Sequence, residues 1–402
     1  MSIEKPYPRS SLGRWIAAIV LLLMVLTAAV VIAIYRAEPT LHATVIETLS
    51  TRFKSKVELD AFHVSLFKGF QVSGNGLRIF GAKDPNNHEP GFQPIISVAE
   101  FRFRIGVLDL FRYPHHIDAV YVKGLQLNLP PREQRDEISS MGPKNGKIGF
   151  TVNRLFFDKT QLIINTLRPG KLPVEFDIES LKMTTIGPGS PMHFDADLTN
   201  PKPVGHILSS GLFGPWQADS PRETPVSGTY SFNNADLGTI RGLGGILSST
   251  GSYRGVLEKI VVDGTTETPE FRLATSGRAV PLHTDFHATV DGTSGDTYLQ
   301  PVKARILSSW LEANGSVVRT KDPPGHHVEL DVVMKSAKIE DLLRLAVRTD
   351  PPIVTGMVRL KTKFDLPPGE PEVDHRLRLS GNFQVSGAHF TNDKIQSKVD
   401  AL

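Results

Sequence analysis

The chain has no cysteine. That excludes disulfides, thiolate metal sites and cysteine nucleophiles. It has no long basic run, and its formal net charge is only +3 over 402 residues, so nothing marks a nucleic-acid surface. Catalytic constellations are missing too. His115-His116 and His326-His327 lack HExxH spacing, a cysteine partner and a third ligand nearby, and read as surface histidines at strand ends. Asp291-Gly-Thr-Ser-Gly-Asp296 faintly resembles a calcium loop but lacks the acidic twelfth position and most alternate ligands; it reads as a tight turn. Gly242-Leu-Gly-Gly245 lacks the Lys-Ser/Thr of a phosphate loop, and no Gly-x-Ser-x-Gly elbow occurs. The expectation is no catalysis, no metal and no cofactor.

Long apolar runs are scarce as well, with one exception. Trp15 to Tyr35 is an uncharged stretch of 21 residues, enough to span about 30 Å of hydrocarbon as a helix. Trp15 and Tyr35 stand at its ends, where aromatic rings favour the membrane interface. A cleaved signal peptide is the rival reading, with Thr27 and Ala29 as the small residues, but Val30 to Tyr35 stays apolar past that point. A buried core helix fits less well, because the run is apolar on every face. Charge hardly decides orientation. Lys5, Arg9 and Arg14 precede the run, and Arg36, Arg52 and Lys54 follow it.

The 34 glycines and 29 prolines mostly punctuate short apolar runs, the pattern of strands and turns. Phe101, Phe103 and Ile105 alternate with Arg102 and Arg104. Val120 and Val122 alternate with Tyr121 and Lys123, and after Gly124 the parity changes to Leu125, Leu127 and Leu129, as a glycine bulge would cause. Val328, Leu330, Val332 and Met334 alternate with Glu329, Asp331 and Val333. Val358, Leu360 and Phe364 alternate with charged neighbours. One apolar and one charged face is the signature of an antiparallel sheet with one wet side.

Two helices are expected. Leu41, Val45, Leu49 and Phe53 recur every four residues over 40–54, giving a helix that packs on the following sheet or lies on the bilayer surface. Ile339, Leu342, Leu343, Ala346 and Val347 follow helical spacing, with Pro351-Pro352 as the stop. That helix should cover a sheet edge or one end of the sheet. Residues 81–94, 130–147, 185–191, 201–225, 263–269 and 365–372 read as loops, and glycines at 228, 251, 315, 356 and 381 as places where strands begin or bend.

Several phrases then carry a resemblance: Gly74-Asn-Gly-Leu-Arg-Ile79, Val120 to Pro131, Asn200 to Gly205, Gly211 to Trp216, Thr224 to Phe232 and Val290 to Asp296. In this order, behind an N-terminal anchor, the chain resembles AsmA-like proteins over nearly its whole length. The resemblance implies a cytoplasmic tail at 1–14, a transmembrane helix at 15–35, and a helix-plus-β region at 36–130. A linker at 131–147 and a periplasmic β-groove region at 148–402 follow. It also implies a single-pass inner-membrane protein with its N-terminus in the cytoplasm and its bulk in the periplasm. Its fold would be mainly β: an elongated, twisted antiparallel sheet curled into a groove, with a few short amphipathic helices. Because this family is related to bridge-like lipid-transfer proteins, it implies phospholipid or another acyl lipid as ligand, and envelope proteins as possible partners. Family members continue where this chain stops at Leu402, which implies a truncated groove.

The residues expected to line the groove are Phe101, Phe103, Val120, Val122, Leu125, Leu127, Leu330, Val332, Val358 and Leu360. Alternation alone leaves an ordinary closed core open as the other reading, since both place apolar side chains on one face. Two functions remain side by side: lipid binding or transfer in outer-membrane homeostasis, and a non-enzymatic assembly or scaffolding role.

Overall fold

The computed structural model describes residues 42–47, 49–51, 55–65, 70–80, 94–105, 115–129, 150–165, 174–187, 189–217, 220–369 and 371–401. The expected tail at 1–14, the transmembrane run with Trp15 and Tyr35, and the linker at 131–147 lie outside these residues. No helix among the described residues is long and apolar enough to cross a membrane.

Among the described residues the chain builds one 19-stranded sheet that does not close on itself. The strands are β1 Val57–Glu58, β2 Ala61–Ser65, β3 Phe70–Ile79, β4 Ile96–Ile105, β5 His115–Leu129, β6 Phe150–Ile164 and β7 Val174–Ile186. Next come β8 Met192–Pro201, β9 Val204–Phe213, β10 Pro225–Asp236, β11 Leu243–Gly244, β12 Ile246–Val256 and β13 Lys259–Leu273. The series ends with β14 Val280–Val290, β15 Thr297–Ile306, β16 Ser309–Lys321, β17 Pro324–Lys338, β18 Val354–Leu366 and β19 Arg378–Phe390. Neighbours follow chain order, as a meander. The exceptions are β1 and β2, which both lie along β3, and β11, which lies on β13 while β10 pairs directly with β12.

The sheet is mixed, not purely antiparallel as expected. β5 and β6 run parallel over their whole length, His115 opposite Phe150 and Leu129 opposite Ile164. A parallel pair cannot be joined by a tight turn and needs a crossover of a dozen or more residues. Residues 130–149 supply that length, so the ladder runs unbroken from one side of the expected linker to the other. Two expected loops are also strand. Residues 263–269 lie inside β13, and β9 occupies much of 201–225. Their prolines and glycines misled the composition reading: Pro269 sits at a bulge, where Thr268 and Phe271 of β13 oppose Leu282 and Val280 of β14. A bulge tolerates a residue without an N–H.

Gly124 has φ +63, and a Cβ there would come within 2.8 Å of the Ala99 Cβ. The parity change is therefore real, but it needs no extra residue. Lys123 still opposes Glu100 and Leu125 opposes Val98. The two strands change face together, with Ala99 and Glu100 both exposed between buried Val98 and half-buried Phe101.

The helix over 42–47 and 49–51 is held against the first strands by His42, which hydrogen-bonds the Leu59 carbonyl at 2.9 Å with its ring 6.4 Å from Phe62. The second expected helix spans Ile339–Ala346 and stops before the prolines, Val347 already being extended. Its Ile339 and Leu342 pack on a closed core of Met334, Ala337 and Val358. It lies against β17 and β18 and also reaches β13. In a flat sheet β13 and β18 stand roughly 24 Å apart, whereas an eight-residue helix is about 12 Å long. The sheet therefore bends over this stretch, with the helix on the inside of the bend. Hydrogen bonds across the same rim, Arg348 to the Thr275 carbonyl at 2.9 Å and Val373 N–H to the Arg241 carbonyl at 3.3 Å, fix the bend.

One buried carboxylate ties this helix down. Asp341, 6% exposed, accepts hydrogen bonds from Ser308 N–H, Ser308 Oγ and Ser309 Oγ at 3.1, 2.7 and 2.8 Å. Removing it strands these donors, which costs about 1–3 kcal/mol. Asp341→Ala should lower the unfolding free energy by that amount, read as a lower urea midpoint with an unchanged slope; an unaltered midpoint would show that the helix is not tethered there.

Candidate functional site: an uncharged face across the sheet

Residues directly opposite one another in a ladder share a face. Following the register from β2, one row runs Val64, Val72, Phe103, Val120, Leu155, Met183 and Phe194. It continues without interruption through Gly211, Gly228, Tyr253, Val262 and Ala288. It ends with Leu299, Gly315, Leu330, Phe364 and Leu379 on β19. No charged residue or histidine enters it. A second row, two residues along each strand, starts Phe62, Gly74, Phe101, Val122, Phe157, Leu181 and ends Val302, Ala313, Val332, Thr362, Gly381. It too is free of charge. At about 4.8 Å per strand the rows follow on the order of 75 Å of contour. Most of their side chains are half-buried, not buried. The face is thus apolar yet largely uncovered, except where the Ile339–Ala346 helix sits on it.

Six of the ten expected lining residues fall in these rows: Phe103, Val120 and Leu330 in the first, Phe101, Val122 and Val332 in the second. Leu360 is in a third row, opposite Met334 and Phe383. Leu125 and Leu127 lie beyond the parity change, Leu125 buried against Val98 and Leu127 between Ile96 and Leu162. Val358 is 4% exposed and belongs to the closed core under the helix, so it lines no open surface. Sequence reasoning missed the middle of the rows. On β9 to β13 they are filled by Gly211, Gly228, Gly251, Gly264, Ser209, Tyr230 and Tyr253, which no hydrophobic pattern marks.

Gly228 and Gly251, expected where strands begin or bend, lie inside β10 and β12. Three of the glycines on β9 to β13 lie directly opposite an aromatic residue on a neighbouring strand, Gly228 opposite Tyr253, Gly251 opposite Tyr230 and Gly264 opposite Phe286, as does Gly74 on β3 opposite Phe101. A Cβ on Gly264 would lie 2.6 Å from the Tyr230 hydroxyl and 2.8 Å from the Phe286 ring. The rings occupy the space a side chain at these glycines would fill. The tyrosine hydroxyls are satisfied internally. Ser249 donates to the Thr265 carbonyl and so accepts from Tyr230 at 3.1 Å; Ser209 donates to the Thr229 carbonyl and accepts from Tyr253 at 2.7 Å. Burial pushes both tyrosine hydroxyls above their usual range, so they stay neutral.

The opposite face carries the charge. Asp118 bridges Arg104 at 2.6 Å and Arg154 at 3.1 Å, and the Arg104 guanidinium, with Arg154, holds its carboxyl below the usual range. His283 stands between Glu267 at 2.6 Å and Asp285 at 3.3 Å, and chiefly Glu267 raises its pKa. His327, Glu329 and Asp365 offer ligand atoms within 4.8 Å of one another on β17 and β18. There His327 bonds Asp365 at 2.7 Å, and Arg378 lies 3.9 Å from the other Asp365 oxygen. His116 meets Thr151 at 3.0 Å. Asp291 turns back on Thr293, and Asp296 accepts the Arg319 N–H, so both carboxylates are engaged in shaping the β14–β15 connection.

No family model, curated protein or solved structure matches the chain.

Gly264→Ala should displace the Tyr230 and Phe286 rings and cost about 1–3 kcal/mol in urea unfolding; a neutral result would show that the rings are not constrained there. The raised pKa of His283 gives stability that is complete below the unfolded value near 6.5 and is lost as pH climbs through the folded value. Unfolding midpoints should therefore fall as pH rises above 6.5, and His283→Gln should remove that step.

Proposed function

We propose that this chain is a membrane-anchored, AsmA-like protein that binds or transfers phospholipid or another acyl lipid along its apolar face without catalysis. The observation that carries the reading is the uncharged row running from β2 to β19. A soluble protein rarely leaves so large a contiguous apolar surface uncovered unless it receives something. A curled sheet suits acyl chains because its ladder satisfies the backbone while alternate side chains face the ligand. Each CH₂ moved out of water contributes about 0.8 kcal/mol, so two 16-carbon chains gain more than ~20 kcal/mol gross. No charge in the rows has to be desolvated against that gain.

The reading places Trp15 to Tyr35 in the inner membrane, with the N-terminus in the cytoplasm and the sheet in the periplasm, serving outer-membrane homeostasis. The helix over 42–47 and 49–51 would then hold β2, where the rows start, near the bilayer. A scaffolding role toward envelope proteins is the second reading, favoured by the exposed edge of β19, where Leu379 and Phe383 are 62% and 72% exposed.

Photocrosslinking in intact membranes separates the two. A photoreactive residue at Leu330 or Leu360 should capture lipid, and one at Glu329, on the charged face, should not. Val120→Asp should reduce capture at Leu330 while Tyr121→Asp leaves it intact. Lipid adducts absent from both inner positions, or equal on both faces, would sink the lipid reading.

A further inference from the structure

The charged face brings together three side chains that no spacing in the chain announces. His327 and Glu329 are two residues apart on β17, so they stand on the same face. The ladder sets Asp365 of β18 directly opposite Glu329. One step along, Asp331 faces Lys363, the pairing of opposite charges that a ladder favours. At Glu329 and Asp365 two carboxylates meet instead, an arrangement that destabilises a strand pair. Both converge on one atom. His327 Nε2 lies 2.7 Å from Asp365 Oδ1 and 3.9 Å from Glu329 Oε1. A carboxylate only accepts, so Nε2 must carry the proton in the Asp365 contact, and one proton serves one carboxylate well.

The other histidines on this face lack that convergence. His283 also has two carboxylates, but Glu267 takes its Nδ1 and Asp285 its Nε2, on opposite sides of the ring. Glu372, Asp374 and His375 come within 4.8 Å of one another, but all three are exposed. Asp374 there already accepts from the Thr275 hydroxyl.

We propose that His327, Glu329 and Asp365 bind one zinc-class divalent ion through Nε2 and one oxygen of each carboxylate. Their ligand atoms lie within 4.8 Å of one another. Metal bonds of about 2.0–2.2 Å hold tetrahedral ligands roughly 3.2–3.5 Å apart, so side-chain shifts of about 1–1.5 Å close the site without disturbing the ladder. An imidazole beside two carboxylates suits Zn²⁺ better than Mg²⁺ or Ca²⁺, which take oxygen ligands. Water completes the fourth position. The ion takes the place of the Nε2 proton, cancels the repulsion between Glu329 and Asp365, and ties β17 to β18. Arg378 keeps the other Asp365 oxygen, 3.9 Å away. Strand alternation turns the site away from Leu330 and the apolar rows, so binding there is independent of what those rows receive.

The test uses the full-length, tag-free chain in detergent micelles, stripped with a chelator and dialysed against Zn²⁺. One Zn²⁺ per chain should be retained, and the urea midpoint should rise on adding it. His327→Gln and Asp365→Asn should each weaken binding by at least ~10-fold. His283→Gln and His375→Gln should leave it unchanged. Glu329→Gln should weaken binding yet leave the metal-free midpoint equal or higher, because it relieves the repulsion; that separates a lost ligand from a misfolded chain. No Zn²⁺ retained, retention undiminished by His327→Gln and Asp365→Asn, an equal loss in His283→Gln or His375→Gln, or equal stabilisation by Mg²⁺ would each overturn the proposal.

Discussion

Everything else in this fold depends on register. Across so many strands, a slip of one residue at any junction would turn an apolar face outward and carry a charged row in its place. The molecule instead places its irregularities so that the face survives them. In β15, Leu299 and Val302 both meet the apolar rows although two residues separate them, because Gln300 and Pro301 bulge outward and are exposed. In β10, Phe232 and Ala235 are spaced the same way around Asn233 and Asn234; in β17, Met334 and Ala337 around Lys335 and Ser336. Each bulge adds local twist and bend to its strand. The devices that preserve the face are thus also the ones that curve it.

The curvature has a further consequence at one end. Bending brings the rim of β13 close to the segments after β17 and β18, near enough for one short helix and a few hydrogen bonds to span the arc. Asp341 anchors that helix through Ser308 and Ser309, and an acidic side chain in a helix's first turn is also well placed relative to the helix dipole. Part of the apolar face is spent there as ordinary core, which is why Val358 alternates like a lining residue yet is buried. The same sheet therefore contains both a closed core and an open apolar surface, and the boundary between them is set by where the helix lies.

Much of this was legible in the chain. Phe101-Arg-Phe103 and Val328 to Met334 are clean period-two patterns, and the spacing of Ile339, Leu342, Leu343 and Ala346 marks the helix. What could not be read follows from three physical facts. A parallel pairing such as β5 with β6 depends on contacts across 130–149 that local pattern does not encode. A bulge breaks the period, so Pro269 and Pro301 look like loop residues inside continuous strands. Glycine, serine and threonine fill a low floor as well as valine does, so the rows vanish from any hydrophobic profile between β9 and β13 although the ladder carries them straight through.

That middle stretch also explains how the face stays neutral without being uniformly greasy. A bare glycine in a strand weakens it and leaves backbone uncovered. Here Tyr230 lies over Gly251 and Gly264, and Tyr253 over Gly228, replacing the missing side chains with ring surface from the neighbouring strand. A tyrosine brings a hydroxyl that burial alone would leave unsatisfied. Ser249 and Ser209 accept those protons and pass their own to backbone carbonyls, so each hydroxyl chain ends on the ladder itself. Replacing either serine with alanine would free a polar atom on the apolar face, and replacing the glycine with a larger residue would lift the ring. Glycine, tyrosine and serine act as one unit on adjacent strands, and that unit lets an uncharged surface cross the centre of the sheet at constant depth.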